Sequence, residues 1–277
     1  MTQVAVVGLG AIGASIAGAL SAAGQVVLGV EPDEENAQIN LQAGYVARVV
    51  TFETAIELAD VLILSGPISV ILAQLTQLKQ VQKPLVVVDT ASVKGVILAQ
   101  SAQLPAHVQF VGGHPMAGTH ASGAGAADRE LFVDRSFFLV GGSAFAQRQI
   151  QLVLAPLQAH FQMLTAPEHD RLVAGISHLP HVVASTLVNS VAAGLQDGQP
   201  EWLELAAGGF LDTTRIAAAD PVLWQEILLA NVVENRAFIQ AMQTQLAALD
   251  ADLAQENTAE VLAILTQAQQ IRKAKMP

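Results

Sequence analysis

The 277-residue chain contains no cysteine, which excludes disulfide staples, thiolate catalysis and cysteine-ligated metals. Charge is also scarce. Only 13% of residues are Asp, Glu, Lys or Arg, and 24 acids against 13 bases give a formal net charge of −11. The bases cluster nowhere before the Arg272-Lys273-Lys275 tail. A surface that tracks phosphates needs many Lys and Arg on one face, so no nucleic-acid partner is expected. An anionic ligand must then be held by backbone N–H groups, hydroxyls and a few placed Arg residues. No basic segment precedes the β-branched run Val4–Val7, so no export signal is expected and the expected compartment is the cytoplasm. From Leu172 to Gln196 there is no charged residue, a span long enough to raise the question of a membrane. His178, Pro180, His181 and Asn189 interrupt it, and it reads as the central helix of a soluble helical domain, with no membrane partner.

What is abundant is apolar surface, 52% of residues. That is too much for disorder and suggests burial between subunits. In the first half, short apolar runs alternate with helical segments. Strands are expected at Val4–Val7, Val26–Val30, Val61–Ser65, Leu85–Asp89, Val108–Val111 and Phe137–Val140. Helices are expected at Ala11–Ala23, Asp33–Ala43 and Ile68–Leu78. Continuous apolar strands with intervening helices imply a parallel sheet covered on both faces. Beyond about residue 165, long helical patterns take over: Glu168–Gln196, Trp202–Gly208, Pro221–Leu249 and Thr258–Lys275. The fold class is therefore α/β, a doubly wound sheet domain over residues 1–166 followed by an all-α domain over 167–277.

The first strand runs into Gly8-Leu9-Gly10-Ala11-Ile12-Gly13 and then an Ala-rich helix, the context that gives a G-x-G-x-x-G motif its meaning. Gly8 serves the tight turn, Gly10 the close approach of a pyrophosphate, and Gly13 the packing of helix on sheet. Glu31 ends the second strand about twenty residues on, where an acid accepts hydrogen bonds from a ribose and repels a 2′-phosphate. No Arg or Lys follows in Pro32-Asp33-Glu34-Glu35. The expected cofactor is NAD, bound in a Rossmann-type domain by Gly8, Gly10, Ala11, Ile12, Gly13, Glu31, Ser65 and Pro67.

Ligands in such sheets lie beyond the carboxyl ends of the strands. Three segments end there: Ser65-Gly66-Pro67, Asp89-Thr90-Ala91-Ser92-Val93-Lys94 and Gly112-Gly113-His114-Pro115-Met116-Ala117-Gly118. His114 is expected in a loop, where a neutral imidazole can take a proton from an alcohol as hydride leaves. Ser92 could hydrogen-bond the imidazole or the substrate hydroxyl. His178 and His181 stand three apart on one helix face. No carboxylate or cysteine nearby completes a metal site, so substrate contacts are expected and no metal. His169-Asp170 fits either a helix start or the rim of the cleft. Arg215, the only Lys or Arg between Arg171 and Arg236, either pairs with Asp212 or clamps a ligand carboxylate.

In order along the chain, Gly8 to Gly13, Asp89 to Lys94, Gly113 to Thr119, Ile176-Ser177-His178-Leu179-Pro180-His181, and Asp212 to Ile216 with Asp220-Pro221 and Trp224 resemble the prephenate/arogenate (cyclohexadienyl) dehydrogenases. The resemblance implies transfer of a hydride to NAD from the ring carbon bearing the hydroxyl, with loss of the ring carboxylate as CO2, in tyrosine biosynthesis. It implies that His114 accepts the hydroxyl proton, Ser92 assists, and Arg215 clamps a substrate carboxylate. His181 contacts the side chain and Trp224 borders the pocket, with Thr119 and His178 also on the substrate. It further implies a homodimer through the helical domain. Some relatives carry an acid after the threonine where this chain has His120. A partly protonated His120 mildly favours the more anionic prephenate over arogenate. β-Hydroxyacid dehydrogenases of similar outline use a lysine from the second domain, and none occurs here between Lys94 and Lys273. A non-catalytic NAD-binding redox sensor is the rival from another class.

Overall fold

The structure, a computed structural model, describes residues 2–118, 123–194 and 204–275. It divides into two compact units, Met1–Asn231 and Val232–Pro277. The strands are β1 (Val4–Val7), β2 (Val27–Val30), β3 (Arg48–Val49), β4 (Val61–Leu64), β5 (Leu85–Asp89), β6 (Val108–Pro115), β7 (Ser136–Val140) and β8 (His160–Leu164). They form one sheet in the order β3-β2-β1-β4-β5-β6-β7-β8. Among the described residues only the β6–β7 pairing is antiparallel.

Between the strands run α1 (Ala11–Ala22), α2 (Glu34–Gln42), α3 (Phe52–Leu58), α4 (Ile68–Leu78), α5 (Gly95–Ser101) and α6 (Ala144–Val153). Alternation along the strands sends side chains to opposite faces. Val4, Val6, Ile63, Val88 and Val111 pack beneath Ile16 and Leu20 of α1 and Ile150 of α6. Ala5, Val7, Leu62, Leu64 and Val87 pack against Ile71 and Leu75 of α4 and Ile97 of α5. Both faces of the sheet are thus dry, which is why these strands read as unbroken apolar runs. Each fully buried Leu or Ile contributes about 1.5–3 kcal/mol.

Polar residues mark where helices begin. The side chains of Asp33, Thr51 and Ser143 accept from the backbone N–H three residues on, each such cap stabilising its helix by about 1 kcal/mol. Thr165 and Glu168 form a reciprocal capping box at the start of α7 (Ala166–Val173). A π-helical turn, Ala174–His178, follows, and then α8 (Leu179–Gly194). The expected unbroken helix from Glu168 therefore carries one extra residue in a turn that ends on His178, a distortion frequent at functional sites. Taken together, Ala166–Gly194 is long and apolar enough to cross a membrane by length and composition.

Two expected helices fall differently. Of the expected Trp202–Gly208 helix, residues 202–203 lie outside the described residues and residues 204–205 are in a 3-10 turn, and a separate helix, α9 (Gly208–Thr214), follows the extended residue Ala207. The Pro221–Leu249 pattern breaks at Asn231 into α10 (Pro221–Ala230) and α11 (Val232–Ala254). The buried Asn231 leaves helical geometry and donates its side-chain amide to the Asp170 carbonyl at 2.8 Å. Asp220 caps α10, accepting from Val222 N–H. In the second unit α11 packs on α12 (Thr258–Lys275), and Leu246, Leu253, Leu262, Leu265 and Ile271 are exposed on the single chain.

Candidate active site

The glycine-rich turn joins β1 to α1. Gly8 has φ +90°, and a Cβ there would lie 2.3 Å from the Ser65 carbonyl oxygen. At Gly13 a Cβ would lie 1.9 Å from the Gly8 carbonyl oxygen. Both are required by the protein's own packing. Gly10 is different. Its φ is −71°, and a Cβ would meet no atom within 4 Å. The fold itself gives no reason for glycine at position 10, and space is kept open at the first turn of α1. No side chain caps that helix, so its first N–H groups and positive dipole end face the same space. A dinucleotide's pyrophosphate fits these features.

Glu31, half-buried at the tip of β2, accepts hydrogen bonds from Leu9 N–H at 2.7 Å and Asp33 N–H at 3.0 Å. Its carboxylate is fixed between the glycine turn and the start of α2. Ala11 and Ile12 open α1, and Pro67 immediately precedes α4. Ser65 Oγ accepts from Thr90 Oγ1 at 3.1 Å, joining the ends of β4 and β5.

His114 corrects the sequence expectation. It lies in β6 rather than a loop, paired with Phe138 of β7 and 7% exposed. The antiparallel return of β7 extends the strand past Val111. The two preceding glycines make room for what lies beside it. A Cβ at Gly113 would be 2.3 Å from the Asp89 carbonyl oxygen, and one at Gly112 would be 2.9 Å from Lys94 Cδ.

His114 Nδ1 lies 2.8 Å from Nε2 of His169, whose Nδ1 lies 2.8 Å from Asp170 Oδ1. Asp170 also accepts from Lys94 N–H and Gly95 N–H, each at 2.8 Å. His114 Nε2 makes no hydrogen bond among the described residues. Burial, and then the neighbouring His169, Lys94 and His178, hold the His114 imidazole well below its ordinary 6.5. Burial also lowers His169, against the opposing pull of its Asp170 bond. At Asp170 burial disfavours the charge, but the bonds from His169, Lys94 and Gly95 outweigh it and keep the carboxyl below its usual range. The result is a buried imidazole, disfavoured as a cation by its burial and backed by a second histidine and a carboxylate.

The helical residues gather around Trp224 of α10. The His181 ring stacks on it with centroids 3.4 Å apart and planes at 23°. His178, buried at the end of the π turn, meets the same indole edge-on at 6.0 Å. Burial, then His178 and Arg215, lower His181 to about 4, which places the Arg215 guanidinium within electrostatic reach of it. Arg215 itself is exposed at the start of a 3-10 turn. His178 in turn helps to lower the His114 imidazole, and His178, His181 and Trp224 form one cluster of rings. Ser92 lies three residues past β5, half-buried, and no hydrogen bond among the described residues joins it to His114. Thr119 and His120 lie outside the described residues.

From the sequence alone His169 and Asp170 fit either a helix start or the cleft rim, and Asp89 and Lys94 carry no distinct role. For the first pair the available signal was two titratable residues in a row directly after a capping box. For the second it was a lone lysine amid apolar residues at the end of β5.

Two family profiles match in series, described as "Prephenate dehydrogenase, nucleotide-binding domain" over residues 16–162 and "Prephenate dehydrogenase, dimerization domain" over residues 165–267. Prephenate dehydrogenase of Bacillus subtilis is 36% identical over 233 residues, 81% of this chain and 62% of that protein. Cyclohexadienyl dehydrogenase of Zymomonas mobilis is 31% identical over 237 residues, 83% and 80% of the two chains. The chain spans less than two thirds of the length of the Bacillus relative and of its Lactococcus lactis counterpart, of which it covers 65%. Among solved structures, arogenate dehydrogenase of Synechocystis has a TM-score of 0.82 at 31% identity, covering 98% of this chain and 99% of that one. Prephenate dehydrogenase of A. aeolicus, in complex with hydroxyphenyl propionate and NAD+, has a TM-score of 0.91 at 26% identity, covering 99% and 98%. A Rossmann-type sheet, a buried histidine near the end of β6 and two family profiles spanning most of the sequence lead to one conclusion: the chain belongs to the prephenate dehydrogenase family.

Proposed function

We propose that this protein is an NAD-dependent prephenate dehydrogenase, converting prephenate to 4-hydroxyphenylpyruvate with release of CO2. The observation that carries the reading is the buried neutral His114, whose Nδ1 is engaged by His169 and whose Nε2 is left for a ligand. NAD, when bound, supplies the hydride acceptor. The open space at Gly10 would receive its pyrophosphate, and Glu31 would accept from its adenosine ribose. Ser65, Pro67, Ala11 and Ile12 are assigned as further cofactor contacts, at the end of β4 and the starts of α1 and α4.

In this mechanism His114 Nε2 accepts the proton of the substrate's ring hydroxyl while the hydride leaves the same carbon. The ring carbon–carboxylate bond then breaks, its electron pair completes the aromatic ring, and CO2 departs. His114 returns its proton to the ring oxygen, so the enzyme is restored and the phenol is formed. Burial keeps water from the base. Arg215 clamps a carboxylate of the substrate, His181 and Trp224 border its side chain, and Ser92, His178, Thr119 and His120 are assigned as its further contacts.

We assign residues 1–166 to cofactor binding and 167–277 to substrate binding and dimerisation. The apolar Ala166–Gly194 stretch and the exposed leucines of α11 and α12 support a second copy of the chain as their cover. We further read it as a cytoplasmic enzyme without nucleic-acid or membrane partners, a reading supported by the scarcity and scatter of its basic residues. Arogenate is the second substrate reading, supported by the likeness to the Synechocystis enzyme.

The test is initial-rate formation of reduced cofactor with prephenate and with arogenate, each against NAD and NADP. Prephenate with NAD is expected to give the highest kcat/KM. Higher kcat/KM with arogenate would reassign the substrate, and no turnover by folded, NAD-binding protein would favour the redox-sensor reading.

A further inference from the structure

We propose that His169 and Asp170 are positioning residues that hold His114 in the tautomer protonated at Nδ1, so that Nε2 carries the lone pair that takes the substrate proton. This deepens the function proposed above and rests on it. The assignment follows from counting hydrogens along the chain of contacts.

Asp170 is the fixed end. Its Oδ1 receives Lys94 N–H and its Oδ2 receives Gly95 N–H, both at 2.8 Å. These two backbone donors occupy the positions where a carboxyl proton would sit, so the group is a carboxylate that can only accept. The approach is built in: a Cβ at Gly95 would lie 2.9 Å from Asp170 Oδ2. The backbone of Asp170 is held as well, its carbonyl receiving the Asn231 side chain. An acceptor at 2.8 Å from His169 Nδ1 requires that nitrogen to carry hydrogen. A neutral His169 then has its lone pair on Nε2. That lone pair lies 2.8 Å from His114 Nδ1, which must therefore be the donor. The one nitrogen of His114 left without hydrogen is Nε2.

The same chain serves the charged state. When His114 takes a proton at Nε2 it keeps its Nδ1–H bond to His169, and no second proton has to move. The imidazolium then faces an acceptor backed by a carboxylate, which offsets the nearby Lys94 ammonium. The reverse arrangement, with His169 protonated on both nitrogens, would turn His114 round to carry hydrogen at Nε2 and would leave it unable to act as the base. His169 is fully buried, which disfavours that cation.

The experiment is 15N NMR of the histidine side chains in the full-length protein at neutral pH, with His114 assigned by its absence in His114→Asn. The expected spectrum has His114 protonated at Nδ1 and bare at Nε2. Hydrogen on Nε2 would overturn the proposal without any enzyme assay. It would do so equally whether or not prephenate proves to be the substrate, since the readout needs none. In His169→Phe, which keeps a ring but offers no acceptor, the tautomer preference is expected to be lost. There kcat should fall about 100-fold, with KM and NAD affinity within about threefold of wild type. His169→Gln, whose carbonyl can accept from Nδ1–H, is expected to restore both in part. A His169→Phe protein that loses activity while His114 keeps its tautomer would mark His169 as merely structural. Should that variant fail to fold, the wild-type spectrum alone decides.

Discussion

Lys94 and Asp89 form an ion pair with both side chains wholly buried, and between them they hold both backbone groups of Gly113. Lys94 Nζ donates to the Gly113 carbonyl at 2.6 Å, and Asp89 Oδ1 accepts from Gly113 N–H at 3.0 Å. The residue before the proposed base is thus fixed by a charge pair at the end of β5. Removing one member strands the other charge in the interior. Lys94→Met is expected to cost about 3–5 kcal/mol of stability, measured by urea denaturation. The double variant Asp89→Asn/Lys94→Met should lose clearly less than the two single losses added together. Strict additivity would mean that the pair does not act as a unit.

The acid side of the activity profile should lie lower than an ordinary histidine allows. His114 must be neutral to accept a proton, and its folded value is well below 6.5. The acid limb of kcat/KM is therefore expected below that pH. The same depression fixes the sign of the stability change. His114 and His169 are both lowered in the folded state, so below pH 6.5 the unfolded chain binds more protons. Their stabilising contribution is full above the unfolded value and is lost as pH falls through the window beneath it, by up to about 1.4 kcal/mol per pH unit for each group. Urea titrations across that window check this, and constant stability through it would contradict the buried neutral state.

Two glycines of one motif should behave in opposite ways. Gly13→Ala places a methyl 1.9 Å from a backbone oxygen and should destabilise by about 1–3 kcal/mol. Gly10→Ala meets open space and should leave thermal stability nearly unchanged. Its methyl would instead intrude on a bound pyrophosphate, weakening NAD binding by about tenfold or more in a calorimetric titration. Equal NAD affinity in Gly10→Ala and wild type would place the phosphates elsewhere.

The sheet was legible because its signal is local. Strands β1 and β5 and helix α4 match their expected limits, each bounded by a polar or conformationally special residue next to a run of one periodicity. The short β3 and the half-exposed β8 escaped. Two residues carry too little pattern, and His160–Leu164 is largely exposed, with only Phe161 and Met163 on its apolar face, too short an alternation to stand out. His114 was identified by its chemistry but misplaced, because the β7 pairing that makes its segment a strand comes from residues more than twenty positions away. The link between His114 and His169 is likewise a product of tertiary folding: 55 positions separate them, and no spacing rule connects the two. Asn231 shows the converse, a helix break caused by a distant carbonyl in a segment whose own sequence favours continuity.

The most direct test of the account compares wild type with His114→Asn, measuring NAD affinity by calorimetry and NADH formation from prephenate in the same preparations. The account predicts NAD binding within about threefold of wild type and a kcat lower by about 10²–10⁴-fold, the range a general base supplies. Turnover by His114→Asn at a rate near that of wild type would contradict it, since the ring hydroxyl would then lose its proton without His114.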